Sequence, residues 1–183
     1  MLNTQPDNYP ELFPYVLIVM VLICGSCLSH GPLVTIQARK RNFGPEFMSQ
    51  FFETHKQFFK SDVNPVGFPD TGSGRYCEQM SYKNWIDFNN AFRCHLNFVE
   101  QLPIMMVIIY LAALKQPLAA LILSSMYFIC KILYTIGYVL KGPNLRQIGA
   151  LPIFFIKWTL YGLSFYTVAC YLDQYRAENH SHI

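Results

Sequence analysis

Apolar residues crowd into four long windows of this chain, and a polar, glycine- and proline-rich stretch separates the first window from the second. A hydrocarbon layer about 30 Å thick takes about 20 residues of helix to cross. Four stretches meet that length: roughly 12–37, 89–114, 117–140 and 148–172. Backbone polar groups in lipid must be satisfied within their own segment, so helices are the expected form. Gly31-Pro32 predicts a kink in the first helix, and Pro117 suits the first turn of the third. Lys115-Gln116 makes a tight hairpin between the second and third helices, and the turn Lys141-Gly-Pro-Asn-Leu-Arg146 joins the third to the fourth. The expected fold class is therefore an all-α integral membrane bundle of four helices, one domain over 1–183.

The stretch 38–88 breaks the pattern. It is polar and aromatic and contains Asn64-Pro-Val-Gly-Phe-Pro-Asp-Thr-Gly-Ser-Gly74. It reads as a structured or partner-bound loop between helices one and two rather than a second domain. No internal repeat is present.

Composition agrees with a membrane protein: 52% of residues are apolar and only 14% charged. The net charge of +3 is scattered, without the basic stripe and interleaved aromatics of a nucleic-acid binder. Met1–Glu11 is polar and slightly acidic and lacks the basic n-region of a secretory signal. Of the six cysteines, Cys24, Cys27, Cys94, Cys130 and Cys170 fall in apolar segments and Cys77 in the loop, which reads as free thiols rather than a disulfide framework. Cys24-Gly-Ser-Cys27 has redox spacing, but its place inside a span disfavours that role. His180 and His182 sit on a polar tail without further ligands and read as solvated, and His30 and His95 read as packing residues. Tyr161, Tyr166, Tyr171 and Tyr175 give the last helix an aromatic face toward lipid or another subunit.

Basic residues set the topology. Arg39, Lys40, Arg41, Lys56, Lys60, Arg75 and Lys83 lie in the long connection, and Lys141 and Arg146 in the last turn. These connections should face the cytosol, or the matrix of a mitochondrion, with the termini opposite. The localisation expected is the membrane of the endoplasmic reticulum or of mitochondria.

Candidate chemistry centres on Arg93, Asn97 and Glu100. Their i, i+4, i+7 spacing puts them on one helical face, and ionisable groups at bilayer depth are costly enough to mark a site. Equal counts from the Lys115-Gln116 hairpin place Glu100 level with Lys131, Asn97 with Tyr134, and Arg93 with Tyr138. Lys131, Tyr134 and Tyr138 also share a face. The two faces form a polar cleft with Arg146 at its mouth, suited to a zwitterionic, multiply anionic peptide. The bland alternative is a Glu100–Lys131 pair that only holds the bundle or an oligomer together.

These residues carry a family pattern. Phe92-Arg-Cys-His-Leu-Asn-Phe-Val-Glu-Gln-Leu-Pro103 resembles the R-x-x-x-N-x-x-E…P signature of the MAPEG family, the membrane-associated proteins in eicosanoid and glutathione metabolism. Ile132-Leu-Tyr-Thr-Ile-Gly-Tyr138 resembles its helix-three block, and Ala38-Arg-Lys-Arg41 the basic end of its first helix. The chain looks most like the type 3 microsomal glutathione transferase branch. The resemblance implies a homotrimer of four-helix subunits, with glutathione as co-substrate between neighbours and a lipophilic second substrate entering from the bilayer. By that resemblance Arg93, Asn97, Glu100, Tyr134 and Tyr138 would hold glutathione, Lys131 would stand where an arginine is frequent, and Arg146 would stabilise the thiolate. Gln101 departs from the usual aromatic, and the long loop departs from most members and suggests contacts with other proteins.

Two functions follow as expectations. One is a glutathione-dependent transferase or peroxidase acting on lipophilic electrophiles or lipid hydroperoxides. The other is a non-catalytic accessory subunit of a larger membrane assembly, such as a mitochondrial respiratory complex. Phe51, Phe52, Phe58, Phe59, Phe68, Tyr76, Tyr82 and Trp85 would form its interface.

Overall fold

A computed structural model describes residues 9–180; His182 lies outside them, as does the His180 side chain. The described residues hold helices and no strand. Helix α1 (Phe13–His30) continues through a π-helical turn, Gly31–Thr35, into α2 (Ile36–Asn42). The two short helices α3 (Pro45–Met48) and α4 (Phe52–Phe59) follow. The remaining elements are α5 (Tyr82–Lys115), α6 (Pro117–Lys141) and α7 (Gln147–His180). Among the described residues, four helical stretches are long and apolar enough to cross a membrane: Pro10–Asn42, Tyr82–Lys115, Pro117–Lys141 and Gln147–Asn179. The protein is an all-α membrane bundle.

The helices outrun their apolar windows for local reasons. Pro32 has no N–H to give to the preceding turn, and the chain absorbs the loss by widening to a π turn rather than stopping. The Ser81 hydroxyl caps α5 by accepting from the Asn84 N–H at 3.3 Å, so the helix starts seven residues before the apolar window expected from 89. At about 1.5 Å per residue, the 34 residues of α5 exceed the bilayer core, and the polar run from Tyr82 to Asn90 projects from it. Glutamine 116 alone separates α5 from α6, whose first residue is Pro117.

In the bundle α5 and α6 pack together, and each touches α1 and α7. Val16, Ile23, Phe98, Met105, Ile109, Tyr127 and Leu160 fill the core. Histidine 30 ties α1 to its neighbours: Nδ1 donates to the Ser26 carbonyl at 2.8 Å, Nε2 meets Thr135 Oγ1 at 2.7 Å, and the ring stands edge-on to Phe98.

The stretch between α2 and α5 folds around a second core of Ala38, Phe43, Met48, Val63, Cys77, Phe88 and Ala91, built jointly with α2 and α5. Its pivot is Arg39, only 2% exposed. The guanidinium donates to the carbonyls of Val66 (3.4 Å), Gly67 (3.1 Å) and Asp70 (2.5 Å) and lies among the rings of Phe43, Phe68 and Phe88. The Asp70 carboxylate accepts backbone N–H bonds from Gly72, Gly74 and Cys77 at 2.8–2.9 Å. Gly67 has φ +73° and lies so close to Phe43 that a Cβ would fall 2.0 Å from the ring; no other residue fits.

Candidate functional site

The polar groups of the bundle gather where α5, α6 and α7 meet on the insert side. Glycine brings the backbones together there. A Cβ on Gly149 would stand 2.4 Å from the Cys130 carbonyl oxygen and 2.5 Å from the Tyr134 nitrogen, and one on Gly137 would stand 2.6 Å from the Leu145 carbonyl oxygen. The start of α7, and Arg146 just before it, is thereby held against the tyrosine face of α6.

A pocket of about 260 Å³ opens at this junction, lined by Asn97, Gln101, Tyr134, Arg146, Gln147 and Lys157 among others. Arg146 is half-buried, its guanidinium 5.3 Å from the Tyr138 ring centre, and it lines the pocket together with Tyr134. Tyr134 and Tyr138 are buried and stack edge to face at 5.6 Å. The Oε1 of Gln101 is buried and has no hydrogen-bond partner, an acceptor left open at the pocket wall.

Of the residues singled out by sequence, Asn97, Tyr134 and Arg146 share the pocket, and Tyr138 forms the floor under Arg146. Arg93 and Glu100 do not reach it: both are exposed on α5. Helical geometry explains this. Each residue turns about 100°, so Glu100 lies about 60° and Arg93 about 40° around from Asn97 on one side, while Gln101 lies about 40° around on the other, toward α7. Lys131 is 1% exposed and does not line the pocket. Its ammonium donates to Asn97 Oδ1 at 3.0 Å from behind. The Glu100–Lys131 pair does not form; among the described residues the ion pair is Lys83–Asp87, on the exposed start of α5.

Lys157 was not singled out by the sequence. A lysine in the middle of the apolar run Leu151–Leu163 is itself the signal that would have found it, since charge at bilayer depth is rare.

The donors around the pocket are cationic, amide or phenol groups and the open acceptor is an amide oxygen. That set suits a ligand with an anionic group and an N–H donor, which glutathione has. The residues present therefore fit the peptide that the family resemblance implies.

The family model for the MAPEG family matches residues 15–166, from the first span into the fourth. No curated protein matches the sequence significantly. The match covers well over half of the chain, and the protein belongs to the MAPEG family.

Proposed function

From MAPEG membership and the pocket chemistry, we propose that the protein is a glutathione-dependent transferase or peroxidase acting on lipophilic electrophiles or lipid hydroperoxides. The observation that carries this reading is Arg146, half-buried over the Tyr134–Tyr138 pair and directed at a pocket also lined by Asn97, Gln101 and Lys157. A fixed cation beside a thiol favours the thiolate, which is the nucleophile. In this reading Arg146 holds the glutathione sulfur as its thiolate while Tyr134 and Asn97 donate to the peptide. Gln101 Oε1 accepts from one of its N–H groups. Arg93 and Glu100, exposed on α5, meet the same peptide from a neighbouring copy in a homotrimer. The sulfur then attacks the electrophilic carbon of a substrate drawn from the bilayer and expels its leaving group, or attacks the outer peroxide oxygen and breaks the O–O bond. The peroxide route releases the lipid alkoxide to be protonated by water, while a second glutathione converts the sulfenic acid to the disulfide and water.

The test is ultraviolet difference absorbance of the glutathione thiolate on purified protein against Arg146→Ala. The expected result is a thiolate band in the wild type, absent in the variant, with turnover lower by at least about a hundredfold. A well-folded wild type without the band would overturn the reading.

A second reading has its own observation. The insert exposes Phe58 (72%), Phe59 (70%) and, at the start of α5, Tyr82 (77%) to solvent, and aromatic residues displayed together mark interfaces. An accessory subunit of a larger membrane assembly would use this surface. Migration in blue-native gels after mild extraction separates the two: a lone trimer speaks for the enzyme, and co-migration with other proteins for the subunit.

A further inference from the structure

Behind the pocket lies a charge that the proposed chemistry does not use. Lys131 is sealed between α1, α5 and α6. Its ammonium has two oxygens within reach, Asn97 Oδ1 at 3.0 Å and the Asn97 carbonyl at 3.5 Å. Aromatic faces surround the rest of it: Phe98 at 4.8 Å, Tyr134 at 5.2 Å and Tyr127 at 5.9 Å. No carboxylate stands within ion-pairing distance among the described residues.

An ammonium can only donate. The atom that Asn97 turns toward Lys131 must therefore be its oxygen, and the planar amide then turns Nδ2 away from the ammonium. Asn97 lines the pocket, and neither Nδ2 hydrogen has a protein acceptor among the described residues. An asparagine free to rotate offers a pocket either a donor or an acceptor face. This one is held in a single orientation by a charge the ligand never touches.

We propose that Lys131 is a positioning residue that locks the Asn97 amide with its oxygen inward, so that the pocket meets its ligand with N–H donors and selects an anionic group. With Arg146 and Lys157 on the other walls, the three sides agree in sign. The ligand's identity rests on the function proposed above; the locking of Asn97 does not.

A double-mutant cycle tests it, using the full-length protein in detergent with Lys131→Met, Asn97→Ala and the double variant. Methionine has nearly the length of lysine and suits the apolar surroundings, and Lys131→Gln keeps an N–H able to reach Asn97. Glutathione titration is one readout, and the melting temperature without ligand is the other. Each single variant should weaken glutathione about tenfold, the size expected for one charge-assisted hydrogen bond. The double variant should be no weaker than either, and Lys131→Gln should recover part of the loss. A full further loss from Lys131→Met in the Asn97→Ala background would overturn the proposal. If the wild type binds no glutathione, the proposed function falls and melting alone decides: additive shifts remove Lys131 from any role on Asn97, and non-additive shifts retain it.

Discussion

Arg39 and Arg146 both lie beside aromatic rings on the insert side of the bundle, and they are held in opposite ways. Arg39 is closed off: it bonds three backbone carbonyls and lies among three rings. Arg146 is half-buried, lies over one ring and faces a pocket. A cation whose terminal N–H groups are bonded to backbone carbonyls and whose Nε is buried out of a ligand's reach stabilises a fold. A cation with donors to spare beside a cavity can hold a ligand. The aromatic neighbours alone do not separate the two cases; the burial of the guanidinium and the cavity beside it do.

Removing Arg39 should give the largest effect on folding. Arg39→Met takes the guanidinium donor from the Val66 and Asp70 carbonyls and one of two donors from the Gly67 carbonyl, at about 1–3 kcal/mol for each group left unpaired, enough to release the insert. Proteolysis should then cut rapidly between residues 60 and 76, and the melting temperature should fall. Arg146→Ala should leave both unchanged while removing the thiolate, and a matching loss of stability there would break the contrast.

Gly149→Ala should come next. The added methyl meets the Cys130 carbonyl and the Tyr134 backbone, and overpacking of this kind costs about 1–3 kcal/mol. Displacing the α7 start also moves Arg146 away from Tyr134, so glutathione affinity should fall along with the melting temperature.

The insert should also respond to pH at both ends. Burial, and then the hydrogen bond to Asp70, push the Cys77 thiol from 9.0 up to about 12. The folded insert holds the protonated thiol, so this contribution is whole below about pH 9 and is lost as pH rises toward 12. Burial pushes Asp70 up, but the N–H donors of Cys77, Gly72 and Gly74 outweigh it and hold the carboxyl below its ordinary 3.8. That contribution is whole above 3.8 and is lost as pH falls through the lower native value. Mass-spectrometric mapping of maleimide labelling should find Cys77 nearly inert at pH 8 in the wild type and reactive in Arg39→Met. Equal labelling of the two would show that the knot does not shield it.

The smallest effect belongs to Lys83→Ala. The Lys83–Asp87 pair is at 3.2 Å with side chains 84% and 51% exposed, so the melting shift should correspond to less than about 0.5 kcal/mol.

The apolar windows, the hairpin at Lys115-Gln116 and the basic connections were legible in the sequence because lipid imposes a length and a sign that composition must meet. Asn97 and Tyr134 were legible as candidates because polar groups in such windows are expensive, and Arg146 because its turn stands at the mouth of the cleft they share. The sequence alone could not divide that polar set. Arg93, Asn97 and Glu100 share a face at the resolution of helical spacing, but a rotation of about 60° decides that Asn97 meets the pocket and Glu100 does not. Lys131 shares a face with Tyr134 in the same way, and its long side chain swings to Asn97 rather than to Glu100. The Arg39 knot depends on contacts to Val66, Gly67 and Asp70, 27 to 31 residues away. No local pattern encodes contacts at that separation. The sequence thus determined the spans, their order and the inventory of polar groups, through local rules of burial and period. Tertiary packing decided which cation is enclosed by the fold and which stands beside a pocket, because enclosure depends on carbonyls and rings supplied by distant segments.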